Sequence, residues 1–398
     1  MTPEDLDYKP FDADNHYYEA LDAFTRHVPA EMQSRVVQWV EQGGRKYHLV
    51  GGQISHAVVN PTWDPVAMPG ALNAYFKGNP EGKSPLEMLK EREPLPAYYM
   101  NNDARIEILE SQGLQAVWLF PTLGVLYEEL IKDDVEACAV MMQGFNQWLL
   151  EDWGYEYQDK IFGAPYLCLG DVAAAAAEVD KVVAAGARVV VLRPAAVTTP
   201  TGIKSPFDPY FDPVWARINE AGIAVVVHAG DSGYSTQGYA DNKFSAAGIS
   251  KGSYSGPSVG SFSIERAAQD WLIQAVFQKI FDRFPNLRFA SVENGSDFLG
   301  PMFRKFDQTA RKTFSWFTDH PVDTFKNNVW MNPFWEDDVN EVAELMGVDH
   351  VIFGSDWPHI EGLPKPLDYL VELKEFDAAE QKKILLDNVT FLNTPQPV

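Results

Sequence analysis

Eight short apolar runs, each parted from the next by a stretch with helical patterning, constrain this chain more than any other feature. They are PFDADNH ending at His16, GLQAVWLF (113–120), FGAPYLCL (162–169), ARVVVLRP (187–194), IAVVVHAG (223–230), LRFASVEN (287–294), NVWMNPF (328–334) and HVIFGSD (350–356). Strands that alternate with helices predict βαβ units and a parallel sheet. Eight such units predict a single (β/α)8 TIM-type barrel over 1–398. Helices are predicted over 134–153, 171–185, 213–221, 264–284, 296–314 and 339–346. The clearest is DVAAAAAEVDKVVAAG, with Asp171 placed to cap its start, an alanine-rich interior and Gly186 just past its end.

Two stretches break the alternation, and both follow a predicted strand's C-terminal end, where barrel active sites sit. Residues 28–100 follow the first strand and are rich in Pro, Gly and aromatics; residues 229–262 follow the fifth and are rich in Gly and Ser. Long loops in compact domains are usually lids or binding elements, so both are expected to shape a site. Trp63, Tyr75, Phe76, Tyr98 and Tyr99 in the first insertion either line an apolar pocket or pin the insertion to the barrel.

Hydrophobic residues make up 46% of the chain and charged residues 22%, the balance of a globular protein. The net charge of -24 repels nucleic-acid backbones and anionic membrane surfaces, so neither is expected as a partner. The two cysteines, Cys138 and Cys168, lack metal-site spacing and are expected as buried free thiols. The run TPEDLDYKP shows no secretory pattern and no window approaches the roughly 20 apolar residues of a membrane helix, so a cytoplasmic protein is expected.

Charged and imidazole groups fall at strand ends. Asp14 and His16 close the first strand, His228 the fifth, Glu293 the sixth and Asp356 the eighth. In DADNH, Asp12, Asp14 and His16 alternate, and residues two apart on a strand share a face. Taken singly, each motif has an ordinary reading as a turn, a helix cap or a satisfied core histidine. Taken together, four motifs at four strand ends would ring one mouth of a closed barrel. Imidazole with carboxylate suits a divalent metal such as zinc, manganese or iron, one or two per chain, with a position left open for chemistry.

DADNH, VVHAG, FPNLRFASVENG and VIFGSDWPH, in this order over nearly the whole chain, resemble the amidohydrolase superfamily. Within it they resemble the amidohydrolase-related branch that includes amino-carboxymuconate-semialdehyde decarboxylase and the dihydroxybenzoate decarboxylases. The resemblance implies that Asp14 and His16 bind metal, with Asp12 in the preceding aspartate position, and that His228 is the strand-five ligand. It also implies that Asp356 binds metal or the attacking water and acts as a general base. Two departures stand out. Asp14 replaces a histidine common in relatives, and Glu293 stands near the place of the decarboxylases' catalytic histidine, where it would bind a second metal or serve as acid or base. His359 is a candidate to touch substrate or orient Asp356. Arg193, Asn294 and His56 are candidate substrate-binding residues, Arg193 as a clamp on a carboxylate. Relatives commonly pair, so a homodimer acting on a small molecule is expected.

Three functions remain open at this level. The first is a metal-dependent hydrolase in which metal-bound hydroxide attacks an amide, ester, lactone or thioester carbonyl while Asp356 handles the proton. The alternative is a non-oxidative decarboxylase of an aromatic or unsaturated carboxylic acid. The third is a ligand-binding barrel without turnover. Glu293 in place of histidine tilts the sequence reading toward hydrolysis.

Overall fold

Runs of β-branched residues hidden on both faces form the barrel wall, as parallel strands require. A computed structural model describes residues 3, 6–58, 60–234, 262–334 and 337–398 of the chain. Seven barrel strands run in chain order: Phe11–Tyr17, Ala116–Pro121, Ile161–Gly163, Val189–Leu192, Ala224–His228, Arg288–Val292 and Val329–Met331. Every residue in them is buried. The first three pair in parallel as one sheet and the last four as another.

Single parallel bridges join the two sheets into a ring. Tyr166 pairs with Val191 between the third and fourth strands, Met331 pairs with Val351, and Asn15 pairs with Trp357 to close the circuit. The closing seam is well bonded: Ala13 N donates to Phe353 O at 2.8 Å, His16 N to Trp357 O at 2.8 Å, and Asp356 N to Asp14 O at 2.8 Å. The fold is therefore the TIM-type barrel expected from the alternation.

Two of the eight expected strands are cut short for local reasons. FGAPYLCL pairs regularly only over Ile161–Gly163, because Pro165 has no N–H to offer the ladder and only the Tyr166 bridge continues it. HVIFGSD forms no regular strand; its Ser355 N–H is taken by the Asp12 side chain at 2.9 Å instead of by a neighbouring backbone. The helix expected over 264–284 is two, Ser263–Phe277 and Ile280–Arg283, broken where Lys279 turns left-handed at φ 56. The helix with the clearest sequence signal spans Val172–Ala184, its Asp171 carboxylate accepting from the N–H groups of Ala173 and Ala174.

The 28–100 insertion carries its own antiparallel sheet, Gln38–Gln42, Arg45–Val50 and Gln53–Ile54, and a ribbon of Val66–Ala67 with Arg92–Glu93. It is tied to the barrel top by Gly70 N to His359 O at 2.9 Å and Leu72 N to Ile360 O at 2.7 Å. His48 Nδ1 meets Tyr127 Oη at 2.6 Å. Its aromatics divide between the two roles that the sequence left open. Trp63 stacks on Tyr18 at 4.4 Å, whereas Tyr98 and Tyr99 pack on Trp357. Most of the 229–262 insertion, residues 235–261, lies outside the described residues. Cys138 and Cys168 are buried free thiols with sulfurs 3.5 Å apart. Among the described residues no helix is long and apolar enough to cross a membrane.

Candidate metal centre

The strand ends bring Asp14, His16, His228 and Glu293 together, one ligand atom from each lying within 4.8 Å of the others. Asp14 Oδ1 is 3.2 Å from His16 Nε2 and 3.4 Å from His228 Nε2. Glu293 Oε2 approaches His228 Nε2 at 3.6 Å, and Asp356 Oδ1 approaches His16 Nε2 from the other side at 3.4 Å. Asp14, His16, His228 and Asp356 are almost wholly buried. The seam beside Asp14 is so tight that a Cβ at Gly354 would stand 2.5 Å from Asp14 Cβ.

Strand geometry aims these groups. His228 Nδ1 lies 2.8 Å from Ala229 O, an acceptor only, so a neutral ring carries its proton there and turns the Nε2 lone pair toward Asp14 and Glu293. Glu293 and Asp356 both hold left-handed backbone, φ 59 and φ 54. Such strain, of order 1–3 kcal/mol for each non-glycine residue, clusters where function fixes side-chain direction.

Asp12 does not join its alternating neighbours at the centre. Its carboxylate accepts from Ser355 N–H, Ser355 O–H, Asn15 and the Asp14 N–H, tying the first strand to the eighth segment. Burial raises its pKa to about 7, against the lowering effect of those bonds.

Electrostatics at the centre are unbalanced. Burial by itself would raise the Asp14 carboxyl, but the His16 and His228 rings outweigh it and hold Asp14 below the usual range. Burial, with His359 nearby, pushes the His16 imidazolium well down. Glu293 is raised by burial and then by Asp356 and Asp14; Asp356 is raised by burial and then by Glu361 and Asp14. Asp14 Oδ2 and both ring nitrogens of His16 lack any hydrogen-bond partner, and the Asp356 oxygens have none beyond the close approach of His359 Nδ1 to Oδ1. Buried lone pairs facing one another are costly without a cation among them. The donor set and its orphaned atoms fit a divalent metal ion.

A cavity of about 270 Å³ opens over this cluster, with His16, His228, Glu293 and His359 on its floor. The first insertion roofs it with Val58, Trp63, Val66, Leu89 and Arg92. His359 stacks on His16 at 3.9 Å, sets Nδ1 2.6 Å from Asp356 Oδ1, and points Nε2 at Thr122 Oγ1, 2.9 Å away.

The three residues expected to bind substrate lie elsewhere. Arg193 does not line the cavity. It is buried between Glu128 and Glu129, at 3.3 and 2.6 Å, and donates to Asp231 O at 2.5 Å, so its guanidinium is held in the wall by ion pairs. Asn294 donates to Val227 O at 2.8 Å and Ser291 Oγ at 3.2 Å, locking two strand ends. His56 is exposed and packs edge-on to Tyr47 while its neighbours Ala57 and Val58 turn into the cavity. Sequence reasoning missed Glu361, Arg92, Tyr18 and Thr122 as lining residues. Only Glu361 carried a signal, five residues after Asp356 in the same loop, and it forms a carboxylate trio with Asp356 and Glu293.

A family model described as amidohydrolase matches residues 124–389. The chain is 38% identical to an amidohydrolase from Mycobacterium avium subsp. paratuberculosis K-10, with a TM-score of 0.90 over 98% of this chain and 100% of that one. In fold it is also similar to a 2,6-dihydroxybenzoate decarboxylase from Rhizobium, 15% identical, TM-score 0.55, over 73% of this chain and 87% of that one. A third similar fold is a dihydroxybenzoic acid decarboxylase from Polaromonas sp. JS666 with bound manganese and the inhibitor 2-nitroresorcinol, 14% identical, TM-score 0.57, over 97% of each chain. Comparison with the curated proteins found no match.

Proposed function

Because this chain belongs to the amidohydrolase family, we propose that it is a metal-dependent enzyme that removes carbon dioxide from a small aromatic or unsaturated carboxylic acid. The observation that carries this is the place of Glu293, a carboxyl on the floor of a largely apolar cavity with Oε2 3.6 Å from His228 Nε2, where it faces a substrate held over the metal centre. Similarity in fold to decarboxylases supports the same reading. Asp14, His16 and His228 would hold the ion, with Glu293 and Asp356 facing it from two sides. Such an ion polarises substrate oxygens and offsets the carboxylates around it.

The chain's own residues do the rest. The apolar part of the roof, Val58, Trp63, Val66 and Leu89, holds the acid's body over the floor. As the bond between ring or alkene carbon and carboxylate breaks, its electron pair stays on that carbon and carbon dioxide departs. Glu293, protonated, delivers its proton to the same carbon and is reprotonated from solvent. His359, fixed between Thr122 and Asp356, keeps Asp356 oriented.

The hydrolytic reading, first from the sequence, is favoured by one observation: Asp356 paired with His359 at 2.6 Å suits a base that takes a proton from water. The test is manganese-loaded protein with carboxyl-labelled aromatic acids in deuterated water. Labelled carbon dioxide with one deuterium at the vacated carbon supports decarboxylation, and Glu293→Gln should slow it about 10²- to 10⁴-fold. No gas from any acid, with turnover of esters or lactones, would replace this reading with hydrolysis.

A further inference from the structure

We propose that Arg92, carried by the insertion that roofs the cavity, binds a second anionic group of the substrate, so that the preferred ligand is a small diacid. The inference rests on the reading of this cavity as the substrate site. Among the described residues that line it, Arg92 is the one lysine or arginine, set in a wall that is otherwise largely apolar. In the ribbon it sits directly opposite Ala67, which also lines the cavity; cross-strand partners share a face, so the two side chains stand on the cavity side together.

Arg92 is free to take a ligand. Its Nε makes only a long 3.4 Å contact to Leu89 O, and among the described residues no carboxylate lies within ion-pair distance of it. The contrast with Arg193, held by two glutamates, is complete. A guanidinium at the rim of an apolar cavity matches a carboxylate with two parallel hydrogen bonds. The floor takes one acidic group at the metal centre, and the roof takes the other. Tyr18 and Trp63, stacked on each other, add aromatic surface to the same cavity.

Calorimetric titration of the manganese-loaded full chain would compare benzoate with phthalate, isophthalate and terephthalate, which separate their two carboxylates by different distances. The expected result is that at least one diacid binds about tenfold more tightly than benzoate, a typical value for a hydrogen bond to a charged group. Arg92→Gln should remove that preference, weakening the diacid about tenfold more than it weakens benzoate, and Arg92→Lys should keep part of it. Equal affinity for benzoate and all three diacids, or a preference that survives in Arg92→Gln, would overturn the proposal; metal-dependent benzoate binding would then leave the proposed function standing. A diacid preference that disappears in Arg92→Gln but persists after manganese is stripped would uphold Arg92 and count against the metal-centred reading instead.

Discussion

Two buried charged clusters sit near the top of this barrel, and they differ in whether their charges close. Around Arg193, the guanidinium meets Glu128 and Glu129, Lys132 also pairs with Glu129, so two cations face two carboxylates, and Tyr166 Oη donates to Glu128 at 2.5 Å. Around Asp14, three further carboxylates, Glu293, Asp356 and Glu361, crowd the histidines; among the described residues none of the four carboxylates pairs with a lysine or arginine, and buried atoms are left unpartnered. A balanced cluster holds the wall together. An unbalanced one persists only if something positive completes it.

The sharpest way to break this comparison is to swap which cluster is damaged. Arg193→Met leaves the buried Glu128 without its cation, while Glu129 keeps Lys132, and should lower unfolding free energy by about 3–5 kcal/mol in denaturant titration. Manganese affinity of the folded fraction should stay within a few-fold of wild type. Strong loss of metal from that variant would make Arg193 part of the centre.

His228→Ala should do the reverse. Calorimetry is expected to show manganese binding weakened by about a hundredfold or more, by comparison with the 10- to 100-fold lost on removing partners outside the ligand set. Stability without metal should change far less than in Arg193→Met.

A third buried site separates burial from metal chemistry. His48 is lowered to about 4 by burial, against an unfolded value near 6.5. Between those values the unfolded chain binds a proton that the native ring refuses, so stability present at pH 7 is lost as pH falls through this window, by about 3 kcal/mol. Thermal unfolding across pH 4–7 should show that slope in wild type and a flatter one in His48→Gln. The smallest effect is Asp171→Ala, far from every cluster, which should cost about 1 kcal/mol through its lost helix cap and leave metal binding untouched.

The comparison also marks what the sequence could reveal. Runs such as VVVL and AVVVH are legible because burial on both faces demands an unbroken β-branched string. Asp14, His16 and His228 are legible because a polar residue at the end of such a string has few other uses. Arg193 carries the same signal and means something else: its partners Glu128 and Glu129 ride on the helix Gly124–Ile131, which is not among the helices predicted from the sequence, and only the fold brings them to it. Asp12 misled in a similar way, its alternation with Asp14 undone by bonds to Ser355, a residue 343 positions away. The roof was legible as an insertion and Trp63 as a candidate lining aromatic, but Arg92 was not, since it lies in a stretch without periodicity.

Elemental mass spectrometry of the purified full chain, supplied with zinc, manganese and iron and then freed of excess ion, tests the central claim most directly. Wild type and folded Arg193→Met should each retain at least one divalent ion per chain, and His228→Ala should retain none. A wild-type protein that holds no ion under these conditions, or a His228→Ala variant that keeps its full complement, would contradict the assignment of this cluster as a metal centre.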